Sequence, residues 1–116
     1  MTRGFTLIAI GALLALTATQ SFAAGDPARG KTKIATCVAC HGQDGNSVDP
    51  QYPRLAGQYA DYLAQSLHEY KTGQRQNLVM KGFAATLSDQ DISDISAYFS
   101  TMPTRLSGLE GHIQGE

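Results

Sequence analysis

Cys37-Val38-Ala39-Cys40-His41 constrains this 116-residue chain more than any other stretch. Two thiols separated by two residues, with a histidine directly after the second, form the C-x-x-C-H pattern for covalent haem attachment. Each thiol adds across one vinyl group of the porphyrin and becomes a thioether. On a helical turn, cysteines three steps apart face the same way. The histidine then emerges beneath the ring and offers an imidazole nitrogen to the iron. Three other uses of the pattern fit less well. A structural zinc site wants four ligands, usually two such pairs, and the chain has only two cysteines, with His68 and His112 at no ligand spacing. A thioredoxin-like pair expects a βαβ setting, and no strand-rich run is present. A plain disulfide leaves His41 without a role.

The first residues read as a targeting signal. Arg3 is the positive start, Phe5 to Ala18 the apolar stretch, too short for a comfortable membrane span, and Ser21-Phe22-Ala23 a small-x-small cleavage site. Residues 1–23 are thus expected to be a signal peptide, with retention as an anchor the alternative. Export agrees with covalent haem attachment, which takes place outside the bacterial cytoplasm, so the expected address is periplasmic with no integral span after processing. The mature chain makes one small domain, whose own apolar core is marginal. A large covalently held cofactor supplies the missing interior, and the apo chain is expected to fold poorly. Without Arg3, Asp and Glu outnumber Lys and Arg, which argues against nucleic acid as a partner.

Three helices are expected, with long loops between them and no strand. The first starts at Asp26-Pro27, an N-cap followed by proline at the first helical position, and runs through Lys33 and Ile34 to the cysteines. The second spans about Gln58 to Thr72. Tyr59, Leu63, Leu67 and Tyr70 form its apolar stripe, Lys71 suits its C-terminal end and Gly73 closes it in the left-handed conformation. The third starts at Ser88 with Asp91 as a capping-box partner, presents Ile92, Ile95, Tyr98, Phe99 and Met102, and stops at Pro103. Residues 103–116, His112 among them, read as a flexible tail. The Asp44-to-Asp49 stretch is no calcium loop, because Leu55 stands where a bidentate Glu belongs. The chain has no internal repeat and one C-x-x-C-H, hence one haem.

Several separated motifs, in order, resemble those of the class I c-type cytochromes, and most closely the small bacterial cytochrome c4 and c553 group. They are Cys-Val-Ala-Cys-His-Gly-Gln-Asp-Gly-Asn-Ser at 37–47, Pro53-Arg54-Leu55-Ala56-Gly57-Gln58 with Tyr62-Leu63 following, and Leu87-Ser88-Asp89-Gln90-Asp91-Ile92 ending in Ala97-Tyr98-Phe99. The resemblance covers nearly the whole mature chain, with the cytochrome domain at 24–102. It implies an all-α fold, helices and loops wrapped around one covalently bound haem c, with histidine and methionine on the iron. It implies a non-enzymatic one-electron carrier between redox proteins, with transient docking to membrane-bound respiratory complexes among its partners. A haem subunit of a larger oxidoreductase, or a peroxidase-like protein with a labile methionine, are the alternatives.

The same resemblance suggests a ligand set. Cys37 and Cys40 are the thioethers and His41 the first axial ligand. Met80, in a loop expected to fold across the open haem face shortly before the Leu-Ser-Asp block, is the second, with Met102, whose spacing on the third helix suits core packing, the alternative. Class I cytochromes commonly orient the histidine with a proline carbonyl twelve residues on, and Pro53 has that spacing from His41. Leu55 and Phe83 are candidates for porphyrin contact, Arg54 for a propionate. In the resembled fold the first and last helices cross closely, so Gly30 leaves room for the ring of Tyr98 or Phe99. A helical glycine otherwise costs about 1 kcal/mol against alanine.

Overall fold

The computed structural model describes residues 24–105. Its regular structure consists of α1 (Pro27–Lys31), α2 (Ala35–His41), α3 (Ala60–Thr72), α4 (Leu78–Ala84) and α5 (Asp89–Thr101). Among the described residues there is no strand, and no helix is long and apolar enough to cross a membrane. The predicted signal segment and the tail beyond Arg105 lie outside the described residues.

The helix ends follow from local chemistry. Asp26 caps α1, its carboxylate accepting from the backbone N–H of Ala28 and Arg29, with Pro27 at the first position. Ser88 and Asp91 form a reciprocal capping box at the start of α5. Gly73 ends α3 at φ 81°, ψ 9°.

Three expectations are corrected. The predicted first helix is two helices, because α1 closes at Thr32, whose hydroxyl bonds the Arg29 carbonyl at 2.7 Å, and the chain restarts after Ile34. The helix expected from Gln58 begins two residues later, with Tyr59 as its N-cap. Tyr59 is 79 % exposed, so the buried stripe of α3 is carried by Leu63 and, in part, Leu67. The segment expected as a loop around Met80 contains α4, capped by the Asn77 side chain, which accepts from the Met80 N–H at 3.0 Å.

The core is a small cluster of Ile34, Leu63, Ile95 and Phe99, with Cys37, Val38, Leu55 and Met102 against it. Helix α5 is its spine, packing on α1 and α3, while α4 packs on α3. The crossing of α1 and α5 is backbone on backbone. A Cβ on Gly30 would collide with the Asp94 carbonyl oxygen and sit 2.7 Å from its carbon and 2.8 Å from Tyr98 Cβ. The glycine therefore admits the α5 backbone at Asp94 and, beside it, the Cβ of Tyr98, one of the two aromatic residues expected there. Asp94, fully buried, locks this crossing. Arg29 donates to both its oxygens at 2.9 Å, the Asp26 N–H at 2.8 Å, Gln90 at 2.9 Å and Lys33 at 3.2 Å. The Arg29 guanidinium, foremost among these donors, holds the Asp94 carboxyl far below the usual carboxylate range.

Candidate haem site

Helix α2 carries Cys37 and Cys40, both half-buried, and ends on His41, which is only 6 % exposed. Gly42, at φ 89° and ψ 148°, turns the chain immediately after the histidine, a conformation glycine adopts without a Cβ penalty. The chain then loops back. The Ser47 N–H donates to the His41 carbonyl at 3.0 Å, and the Pro53 carbonyl oxygen comes to 2.8 Å from His41 Nδ1. A carbonyl only accepts, so Nδ1 carries the proton, and in the neutral imidazole Nε2 is the nitrogen with the free lone pair. That is the tautomer a metal-ligating imidazole needs, set by the Pro53 backbone carbonyl. The Tyr52 ring stands edge-on to the imidazole, centroids 6.2 Å apart.

The loop between Gly42 and Gly57 is braced from within. Asp44 Oδ1 accepts from the Asn46 N–H at 3.1 Å, and the Gly45 carbonyl accepts from Leu55 and Ala56 at 2.8 and 3.0 Å. Asn46, 3 % exposed, is the hub. Its Nδ2 donates to the carbonyls of Asp44 and Pro103 at 3.1 and 3.0 Å, and its Oδ1 accepts from the Arg105 N–H at 2.7 Å. Its carbonyl accepts from Arg54 Nε at 3.1 Å, which anchors the residue next to Pro53. Arg105 also pairs with Asp44 at 2.8 Å. Residues 103–105, expected to begin a loose tail, are thus fixed to the histidine loop. Nothing in the spacing of Asn46 announces this role, because the partners that matter lie 57 and 59 residues away.

The structure brings Cys37, Cys40, His41, Pro53, Arg54 and Leu55 into one unit around α2. Met80 and Phe83 lie on α4, which is backed by α3. Met80 is partly buried, Ala84 on the same side of α4 is fully buried, and Phe83 is 44 % exposed. Met102, the C-cap residue of α5, packs against the core cluster. His68 lies 3.9 Å from Asp89, away from the α2 unit.

Two rival chemistries are disfavoured here. Burial pushes the Cys37 thiol up, whereas an attacking thiol of a redox pair is poised by a lowered value. Among the described residues no group of three or more His, Cys, Asp or Glu side chains is arranged to hold a metal ion, which leaves a structural zinc without its ligand set. Two thiols beside an imidazole fixed with Nε2 available suit a covalently attached haem, and the small core agrees with a cofactor that completes the interior.

The cytochrome c family model matches residues 27–103. The chain belongs to the cytochrome c family. It is similar to cytochrome c4 of Pseudomonas aeruginosa, 48 % identical over 96 residues, 81 % of this chain and 48 % of that protein. It is similar to cytochrome c-554(548) of Halomonas halodenitrificans, 52 % identical over 81 residues, 67 % of this chain and 98 % of that protein. Among solved structures, reduced recombinant cytochrome c4 from Pseudomonas stutzeri superposes with a TM-score of 0.67 at 46 % identity, over 70 % of this chain and 47 % of that one. The chain thus spans about half the length of the cytochrome c4 proteins it matches and almost all of the shorter relative. The fold is the all-α fold of class I cytochromes c, and membership of the family brings covalently bound haem c, for which Cys37 and Cys40 are the only cysteines in the chain.

Proposed function

We propose that this cytochrome is a periplasmic, monohaem carrier of single electrons between redox proteins. Cys37 and Cys40 would hold the haem as thioethers, and His41 Nε2 and Met80 Sδ would be its iron ligands. The observation that carries the reading is the 2.8 Å hydrogen bond between His41 Nδ1 and the Pro53 carbonyl, on the helix that bears both thiols. The haem, when bound, supplies an Fe(III)/Fe(II) couple whose potential thioether ligation raises. The remaining work belongs to the chain. Pro53 fixes the imidazole tautomer and ring plane, so the ligand nitrogen does not rotate as the iron charge changes. Arg54 and Asn46 hold Pro53 in place. The α5–α1 lock and the core cluster keep α2 at a fixed distance from the rest of the fold. With His41 and Met80 both on the iron, the site would transfer electrons and leave a substrate no place to coordinate. Docking to partners is brief and small in area.

Intact mass combined with a pyridine haemochrome assay, on protein produced with a haem-attachment system, tests this. The expected result is one covalent haem on a chain that begins at Ala24, with the near-infrared sulfur-to-iron band in the ferric protein. A bare chain with unmodified thiols, or a haem lost on denaturation, refutes it. Cys37→Ala with Cys40→Ala is expected to abolish both haem attachment and stable folding.

A further inference from the structure

The aromatic ring that meets His41 belongs to Tyr52, the residue directly before the carbonyl that holds Nδ1. The ring centroids are 6.2 Å apart and the planes meet at 64°, an edge-to-face pair at a favourable separation. His41 is 6 % exposed, whereas Tyr52 is 36 % exposed and Pro53 is also a surface residue. A buried imidazole therefore makes its hydrogen bond to a carbonyl at the rim of the fold. Water competes for both halves of such a bond wherever it reaches them. Beside the loop lies an open cleft of about 270 Å³, with Ser47, Asp49, Tyr52 and Arg54 in its wall. His41 is not part of that wall. Tyr52 thus borders both the cleft and the imidazole.

Local chemistry delivers the ring to this place. A residue before proline is kept out of the helical region, which narrows the backbone choices of Tyr52. Its N–H donates to the Asp49 carbonyl at 3.1 Å, and the Ser47 hydroxyl donates to the same carbonyl at 3.1 Å. Asp49 Oδ1 accepts from the Gln51 N–H at 2.8 Å. The Ser47 N–H in turn donates to the His41 carbonyl at 3.0 Å. The turn that carries Tyr52 is therefore tied to the backbone of the residue its ring meets. Tyr52 lies outside the core cluster and the side chains packed on it, so the ring is not there to fill the core.

We infer that Tyr52 is a positioning residue for the axial histidine, its ring covering the imidazole at the rim of the fold and keeping water off the hydrogen bond from Nδ1–H to Pro53. Adjacent residues divide the work: Pro53 supplies the acceptor and Tyr52 seals it. A proton left to one acceptor holds the imidazole in one orientation and gives its iron-side nitrogen a constant basicity. With water at the rim, Nδ1–H would divide its time between Pro53 and solvent, and the electron density offered by Nε2 would vary with it. The ring does this, and the tyrosine hydroxyl is not needed for it. The inference rests on His41 as an iron ligand.

The test uses nitrogen-15-labelled ferrous holoprotein and follows exchange of the His41 Nδ1 proton with water by nuclear magnetic resonance. Loss of the edge-to-face contact in Tyr52→Ala is expected to speed that exchange about two- to tenfold. Tyr52→Phe, which keeps the ring and drops the hydroxyl, is expected to exchange at the unaltered rate. The backbone N–H groups of Ser47 and Leu55, which brace the same loop, are expected to exchange equally in all three proteins. Tyr52→Thr takes the place of Tyr52→Ala, with the same expectation and the same refutations, if the alanine variant yields no folded holoprotein. An unaltered Nδ1 rate in Tyr52→Ala overturns the inference. So does a fast rate in Tyr52→Phe, which makes the hydroxyl responsible. Equal acceleration at Ser47 and Leu55 overturns it too, by giving the ring a part only in holding the loop together. In the unaltered protein the His41 ring protons are expected far upfield, as protons lying against a porphyrin face are. Ring protons at ordinary positions defeat His41 ligation, and this inference with it. Upfield ring protons with an Nδ1 rate indifferent to Tyr52→Ala defeat this inference alone.

Discussion

Gly30→Ala and Gly82→Ala add the same methyl group to two helices, and they are expected to move stability in opposite directions. Alanine favours a helix over glycine by about 0.5–1 kcal/mol, through the entropy of the unfolded chain and the shielding of the backbone. At Gly82 nothing opposes that gain, since no atom lies within 4 Å of the new Cβ. At about 4–8 °C per kcal/mol for a domain of this size, Gly82→Ala is expected to raise the melting temperature by about 2–8 °C. At Gly30 the new Cβ would stand 2.7 Å from the Asp94 carbonyl carbon and 2.8 Å from Tyr98 Cβ. Comfortable carbon contacts begin near 3.5 Å. Neither obstacle is the end of a flexible side chain, so no rotamer change relieves the clash. Helix α1 must retreat by about 1 Å, and the retreat stretches the two 2.9 Å bonds from Arg29 and the 2.8 Å bond from the Asp26 N–H to Asp94. Overpacking a rigid contact costs about 3 kcal/mol at the upper end, which leaves a net loss of about 2 kcal/mol and a melting temperature about 8–16 °C lower. Thermal unfolding of the holoproteins, followed by far-ultraviolet circular dichroism, measures both. Gly30→Ala melting at or above the unaltered protein would mean that the α1–α5 crossing has slack. A destabilised Gly82→Ala would mean that the outer side of α4 is packed against another part of the same chain.

Met80→Ala is expected to abolish the sulfur-to-iron band and convert a low-spin ferric iron to a mixed or high-spin one, seen by absorption and resonance Raman spectroscopy; unchanged spectra move the ligand assignment to Met102. Asn46→Ala leaves the carbonyls of Asp44 and Pro103 and the Arg105 N–H without their partner and is expected to cost about 1–3 kcal/mol in urea unfolding. An unaltered urea midpoint refutes its place as a hub. Lys33, with Ser88, pulls the Asp91 carboxyl from 3.8 down to about 2, and the Arg29 guanidinium lowers Asp94 further. A carboxyl lowered by folding stabilises fully above its ordinary value and loses that contribution as pH falls through the lowered one. Acid unfolding is therefore expected below about pH 4, and Lys33→Met is expected to raise its midpoint. A midpoint that Lys33→Met leaves in place removes Asp91 from the explanation.

What was legible in the sequence was local. Asp26-Pro27, Gly73 and the Ser88–Asp91 pair mark helix ends because each device closes within about a turn of chain. The C-x-x-C-H segment announces its chemistry for the same reason. The close crossing of α1 and α5 is not local, since Gly30 looks like an ordinary helix residue until Asp94, which Arg29 next to it meets across 65 positions, is placed against it. Helix α4 has little signature in the sequence because it is short and contains Gly82, and its one clear signal is Asn77, whose side chain caps the Met80 N–H. Pro53 is marked by its spacing from His41, which the resemblance to class I cytochromes implies. Its residue type alone says only that a turn is present.

The histidine's setting is a product of α5 as much as of α2. At its middle, Asp94 clamps α1 just ahead of the helix that bears the thiols. Near its end, the Phe99 carbonyl accepts from the Gly57 N–H at 3.0 Å, and the Phe99 ring lies where a Cβ on Gly45 would stand 3.1 Å from it. Just past its end, the Pro103 carbonyl and the Arg105 N–H take both ends of the Asn46 amide. Gly45 and Asn46 are in turn the residues that hold Leu55 and Arg54, on either side of which the chain has little freedom, so the Pro53 carbonyl is located by contacts that begin on α5. Contacts from α5 thus reach His41 Nδ1 through the hydrogen bonds of Asn46 and Arg54 and then along the chain to the Pro53 carbonyl. The imidazole is oriented by the packing of the two ends of the domain against each other, which is why a short motif needs this fold around it to present a histidine held on its Nδ1 side.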